Sequence, residues 1–175
     1  MQRYKYFLSK TIFSTFVIMK YEIIDTEARA EQAVAYFKSG YNCAQAVYMT
    51  FSDLFGMDRQ MAARIAAPLG AGMGRLREVC GTVSGMFLIA GLAIPAEDPE
   101  NTENKVLNYT MVQRLAERFR QENGSIICRE LLGLSVRQET PTPEPRTENY
   151  YKKRPCAELV RCAARIIAEE LKTLE

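Results

Sequence analysis

Residues 79–92 read VCGTVSGMFLIAGL. Projected on a helix, this run is apolar nearly all round, with no polar stripe to face water. A helix of that kind is buried on every side. The run therefore predicts a helix at the centre of the fold, over about 79–92. Gly81 and Gly85 lie four apart and share one face of it. Each costs roughly 1 kcal/mol against alanine inside a helix. Their missing side chains admit close approach of another backbone or of a cofactor. Tight helix–helix packing explains both glycines without any function.

Working outward, the same helical period recurs on both sides. Asp25 or Thr26 can cap a helix over about 27–38, with Ala30, Ala33, Val34 and Phe37 at helical spacing and Gly40 as its stop. A second helix is predicted over about 42–54, with Cys43, Ala46, Val47, Thr50 and Phe51 inward and Gly56 ending it. Asp58 caps a third, to about 67. Beyond the central helix, Asn101 or Thr102 starts the longest one, which carries Val112, Leu115 and Phe119 inward and stops at Asn123-Gly124. A short helix over about 127–132 ends at Gly133. Residues 135–154 hold Pro141, Pro143 and Pro145 among polar residues and predict a long irregular loop. Pro155 suits the first turn of the last helix, to about 174. No stretch alternates with period two. The expectation is all-α: a single-domain helical bundle of about six to seven helices, with a long Pro-rich loop before the last one.

The domain is expected over residues 22–175, and residues 1–21 as an N-terminal extension. Residues 1–10 hold three basic residues, and 11–19 form a short apolar-rich run. That run resembles a weak signal-peptide core without a small-residue cleavage site, and it is too short to span a membrane. An over-extended start, with Met19 as initiator, is the preferred explanation. Cytoplasmic location is expected, with export left open by the signal-like segment.

Composition narrows the chemistry. The 175 residues can bury a real core. A formal charge of +2 does not point to nucleic acid, and Lys152-Lys153-Arg154 reads as a solvated turn. There is no histidine, which removes His-based acid–base and nucleophile systems and His-ligated metals. There is no Cys-x-x-Cys pair, so the five cysteines can cluster only through the fold.

Four of those cysteines stand at predicted helix starts. Cys43 follows Gly40-Tyr41-Asn42, Cys80 opens the central helix, Cys128 follows Gly124-Ser125, and Cys156 follows Pro155. A helix N-terminus carries partial positive charge, so a thiol there is expected to ionise more easily, and the thiolate is both nucleophile and metal ligand. Taken singly, each cysteine reads as a small buried apolar residue. Recurrence at helix starts is what shifts the weight toward sulfur chemistry. Cys162 lies six residues after Cys156, ~600° of helical rotation away, and reads as packing.

The segment Gly70-x-Gly72-x-Gly74 lacks the preceding strand and the Lys-Ser/Thr ending of a phosphate loop. It reads as a close-approach loop delivering Arg75, Arg77, Glu78 and Cys80. Either arginine near a thiolate would lower its pKa; an exposed loop explains them equally well. Glu78 and Glu130 read as ordinary acids near helix N-termini.

At these residues the chain resembles the C_GCAxxG_C_C family of redox-active proteins, named after its cysteine pattern. The resemblance is carried by Gly40-Tyr41-Asn42-Cys43-Ala44-Gln45-Ala46-Val47, by Gly70-Ala71-Gly72-Met73-Gly74-Arg75 and by Val79-Cys80-Gly81-Thr82-Val83-Ser84-Gly85. Cys128-Arg129-Glu130-Leu131-Leu132-Gly133 and Cys156 complete it, over about residues 26–170. Thr82 stands where the family usually has alanine. The resemblance implies that Cys43, Cys80, Cys128 and Cys156 act together in redox chemistry, with an oxidoreductase or transporter as partner.

Three functions follow as expectations. The first is an electron-transfer protein whose four cysteines hold an iron–sulfur cluster or other thiophilic metal, with Gly72, Gly74, Arg75, Gly81 and Gly85 around the cofactor. The second is metal-free thiol–disulfide chemistry by the same four thiols. The third is a non-enzymatic helical accessory module of an oxidoreductase or transporter system, with core cysteines. A homo-oligomer is compatible with each, and no transmembrane span or nucleic-acid partner is expected.

Overall fold

The computed structural model describes residues 21–135 and 138–174. The N-terminal extension expected from the sequence lies, apart from Tyr21, outside the described residues. Helix α1 (Thr26–Lys38) is capped by Asp25, whose carboxylate accepts from the Ala28 N–H at 3.0 Å. Helix α2 (Cys43–Ser52) opens on a capping box, in which Asn42 and Gln45 bond each other's backbone N–H groups. Asp58 caps α3 (Arg59–Ala66). The central helix α4 is Gly81–Ala93, with Cys80 as its N-cap residue. Helices α5 (Thr102–Asn123) and α6 (Cys128–Leu131) follow, then α7 (Glu148–Lys153) and α8 (Cys156–Leu171).

The molecule is all-α, as its sequence predicts. Among the described residues there is no strand, only one isolated antiparallel bridge, between Val79 and Ile127. Helix α2 is buried along almost its whole length and packs against α1, α3, α4 and α8. Helix α4 packs between α2 and α5, and α8 lies across α1, α2, α4 and α5. Large side chains such as Phe51, Met86, Ile89, Leu115, Phe119 and Ile167 are fully buried there. Each contributes roughly 1.5–3 kcal/mol relative to exposure.

The central position read from residues 79–92 holds, but α2 shares it. Two further differences matter. The stripe of α5 is Met111, Leu115 and Phe119, with Val112 only partly buried. The loop before the last helix is not wholly irregular either. Thr147 caps α7 by accepting from the Tyr150 N–H at 3.3 Å, which orders the second half of the loop. Polar composition hid that helix, because its inward residues are few and aromatic.

Candidate functional site

The four helix-start cysteines meet. Cys43 is the first residue of α2, Cys80 caps α4, Cys128 opens α6 and Cys156 opens α8. All four line one cavity of about 60 Å³, together with Arg77, Thr82, Tyr150 and Arg154. All are free thiols; Cys43, Cys80 and Cys128 are buried and Cys156 is partly so.

Local hydrogen bonding explains how remote segments converge. At the Val79–Ile127 bridge, the Cys80 N–H donates to the Ile126 carbonyl at 2.8 Å, and the Cys128 N–H donates to the Glu78 carbonyl at 2.7 Å. Two cysteines far apart in sequence are thereby held side by side. Two glycines complete the approach. A Cβ on Gly81 would stand 2.5 Å from Cys43 Sγ, and one on Gly72 would stand 2.6 Å from Cys128 Cβ. No side chain fits at either position. Gly85 is different: a Cβ there would meet Val47 Cβ at 2.9 Å and the Ala44 carbonyl at 3.0 Å. It serves the α2–α4 seam, which is the packing explanation, one turn beyond the contact with Cys43 Sγ. Gly74 has only the Pro68 carbonyl nearby, at 3.7 Å.

The loop before Cys80 takes an unusual path. Ala71, Met73, Arg75 and Arg77 all have positive φ, at 55°, 63°, 73° and 61°, alternating with Gly72 and Gly74. A non-glycine residue in that region costs roughly 1–2 kcal/mol. Four of them persist because the segment is tied at both ends, and such strain gathers at functional sites. It delivers Arg77 into the interior, 2% exposed. The Arg77 Nη1–H donates to Cys128 Sγ at 3.7 Å, and Nη2 is paired with Glu139. Arg75 pairs with the same carboxylate at 2.6 Å. Of the two sequence readings for these arginines, the exposed loop fails for Arg77. Glu78 turns outward to Arg129 at 3.0 Å, and Glu130 accepts from the Ser125 hydroxyl.

The expectation that helix starts make these thiols acidic is overturned for three of them. Burial pushes Cys80 far up, reinforced by Coulombic repulsion from Cys43, against hydrogen bonding from Thr82. Burial pushes Cys156 up to about 12, and Cys43 and Cys128 add to it. Cys128 is raised by burial too, but the Arg77 hydrogen bond and charge pull it back. Desolvation of the charged form outweighs the helix dipole in so apolar a cavity. At neutral pH these three groups are thiols, not thiolates.

Which groups could hold a metal follows from the donor set. Four sulfurs around one cavity are the right ligands for a thiophilic ion. Yet among the described residues no group of three or more Cys, Asp or Glu side chains is placed to hold a metal ion. The thiols as arranged do not form a ready cage.

Several residues of the site were not singled out by sequence. Arg154 lines the cavity, 17% exposed, although its basic cluster reads as a solvated turn. Tyr150 stands between Arg146 and Arg154, whose guanidinium carbons lie 5.6 and 5.0 Å from its ring centre. The spacing of four on each side of Tyr150 was the only signal for this stack. Cys162 stays away from the cavity. Its Sγ accepts from Asn123 at 3.1 Å and donates to Glu122 at 3.3 Å, and burial pushes it up to about 11.

Residues 41–170 match the model of a family described as "Putative redox-active protein (C_GCAxxG_C_C)". No curated protein and no solved structure matches the chain. Among the described residues no helix is long and apolar enough to cross a membrane.

Proposed function

We propose, for a chain that belongs to the C_GCAxxG_C_C family, a two-electron thiol carrier in which cysteines of the four-thiol cavity cycle between dithiol and disulfide. The observation that carries this reading is the shared lining of one small cavity by Cys43, Cys80, Cys128 and Cys156. Cys128 is the attacking sulfur, because a guanidinium stands within hydrogen-bonding range of it. Cys43 is the resolving sulfur, since it is buried and lines the same small cavity as Cys128, with its Sγ seated where Gly81 leaves room.

The oxidant is a low-molecular-weight disulfide. The Cys128 thiol gives its proton to solvent, and its sulfur attacks one sulfur of that disulfide. The S–S bond breaks, and the departing thiolate takes up a proton. Cys43 loses its proton and attacks the Cys128 sulfur of the mixed disulfide, releasing the second small thiol. Two protein thiols become one disulfide with loss of two electrons and two protons, and the incoming disulfide becomes two thiols. Raised thiol pKa values make the attack slow at neutral pH and faster as pH rises.

Thiol counting and peptide mapping test this reading. Reduced protein treated with a small disulfide loses two thiols and yields a Cys43–Cys128 linked peptide. Cys128→Ser abolishes the loss, and Cys43→Ser traps the mixed disulfide. An unchanged thiol count in wild type sinks it.

A second reading, an iron–sulfur or other thiolate metal centre for electron transfer, is favoured by the same four sulfurs. Cys43, Cys80, Cys128 and Cys156 would be its ligands. The lack of a ready cage weighs against it. Anaerobic purification with iron and sulfide analysis separates the two. Colourless, metal-free protein after reconstitution removes the metal, and stoichiometric iron and sulfide would displace the disulfide reading.

A further inference from the structure

A second cavity, of about 350 Å³, adjoins the thiols. Asn42, Ala71, Arg77, Arg146, Tyr150 and Arg154 line both. Arg75 and Glu144 belong to the outer one alone. Four guanidiniums therefore surround it. The carboxylates that face them are Glu139, which pairs with Arg75 and Arg77, and Glu144, which pairs with Arg154 at 2.5 Å and stands 4.0 Å from Arg75. Two carboxylates leave two positive charges uncompensated among the described lining residues. Among the described residues Arg146 has no carboxylate partner. It donates to the Phe37 carbonyl at 2.8 Å and lies over the Phe37 ring.

A solvated surface patch would explain arginines, but not these. Arg77 is 2% exposed, and its Nε is buried with no hydrogen-bond partner among the described residues. Leaving such a donor unmade costs roughly 1–3 kcal/mol. The left-handed loop that brings Arg75 and Arg77 here adds its own cost. Guanidinium groups recognise carboxylates in a planar two-pronged fit, which a lysine cannot reproduce. The volume suits a small molecule rather than a peptide segment.

We propose that Arg75, Arg77, Arg146 and Arg154 form an anion-binding pocket that seats the carboxylates of the substrate beside the thiols. The substrate class is an anionic low-molecular-weight disulfide. The disulfide part of this inference rests on the thiol-carrier reading; the anion part rests on the pocket alone. Glu144 occupies the position a substrate carboxylate would take at Arg154 and competes with it.

Three disulfides of nearly equal length test it: dithiodipropionate, a dianion; hydroxyethyl disulfide, neutral; and cystamine, a dication. The rate at which protein thiols are lost with each is divided by the exchange rate of the same disulfide with free thioglycerol, a neutral thiol distinct from all three leaving thiols, which removes intrinsic reactivity. The dianion is expected fastest and the dication slowest, differing by about tenfold or more at low ionic strength. The gap shrinks in high salt. Arg154→Gln and Arg146→Gln narrow it, and Glu144→Gln widens it. Equal normalised rates for the three disulfides overturn the anion inference and leave the thiol carrier standing. Should none of them consume thiols, the thiol carrier fails, and calorimetry with suberate decides the pocket. Suberate is a dicarboxylate of the same length without sulfur. Binding that weakens in Arg154→Gln supports the pocket, and no binding at millimolar suberate overturns it.

Discussion

The two ends of one helix contact differ in what a glycine does. Along the α2–α4 seam, Gly85 meets Val47 and the Ala44 carbonyl, and Ala44, Val47 and Val83 around it are fully buried. One turn earlier on the same face, Gly81 meets Cys43 Sγ, and the seam opens into the thiol cavity. The residue type, spacing and helix pair are the same. Only the partner side chain changes, from valine to cysteine, and with it the role changes from packing to holding a sulfur in place. A glycine pair four apart thus marks close approach, and says nothing by itself about chemistry.

The sharpest way to break that contrast is at the buried cation of the cavity end. Arg77→Ala removes one of the two partners of Glu139, which keeps Arg75, and empties interior volume, and should destabilise the fold by about 2–5 kcal/mol in urea unfolding. The seam end contains no comparable group. If Arg77→Ala costs no more than a surface change, the account of Arg77 as the anchor of the cavity is wrong.

Next in size are the glycines themselves. Gly85→Ala places a methyl against backbone and a stiff side chain, and should cost about 1–3 kcal/mol despite its better helix propensity. The rate at which the four thiols react should stay as in wild type. Gly81→Ala should cost a similar amount and also change that rate, because the methyl displaces Cys43 Sγ. Equal effects of both variants on thiol reactivity would erase the distinction between the two ends.

A smaller effect concerns pH. Cys80, Cys128 and Cys156 are raised in the folded state, so the fold holds protons that the unfolded chain releases. For Cys156 the ordinary value is 9.0 and the folded one about 12. Its contribution is therefore fully present below about pH 9 and is lost as pH climbs toward 12. The loss is at most about 1.4 kcal/mol per pH unit for each thiol. Urea midpoints of reduced protein across pH 8–10.5, set against Cys156→Ala, should show a shallower decline in the variant. A parallel decline would mean that the thiol is not desolvated.

Smallest is Cys162→Ala. That thiol packs between α5 and α8, away from the cavity, and its loss should cost under about 1 kcal/mol. Thiol exchange at the other four should be unchanged. A change would bring Cys162 into the site after all.

Much of this was legible beforehand. Asp25 and Asp58 as caps, and Asn101 at the start of the longest helix, announce helix starts, because a short polar side chain before an apolar period has few other uses. The apolar run over 79–92 announces its burial for the same kind of reason. The segment around α7 was not legible, since three prolines and many polar residues outweigh two tyrosines in any local count. Arg154 was lost with it. A basic residue beside two lysines reads as solvated until a loop from elsewhere folds over it.

By itself the sequence determined the all-α class, the order of the main helices and the placement of four cysteines at helix starts. Those properties depend on neighbours within a few turns of chain. Tertiary structure decided that the four sulfurs share a cavity, that Arg77 is buried beside Cys128, and that burial rather than the helix dipole governs three of the thiols. The physical reason is that desolvation and close approach depend on what packs around a group. For Cys128 that environment comes from the bridge at Val79 and the loop at Gly72, both some fifty residues away in sequence.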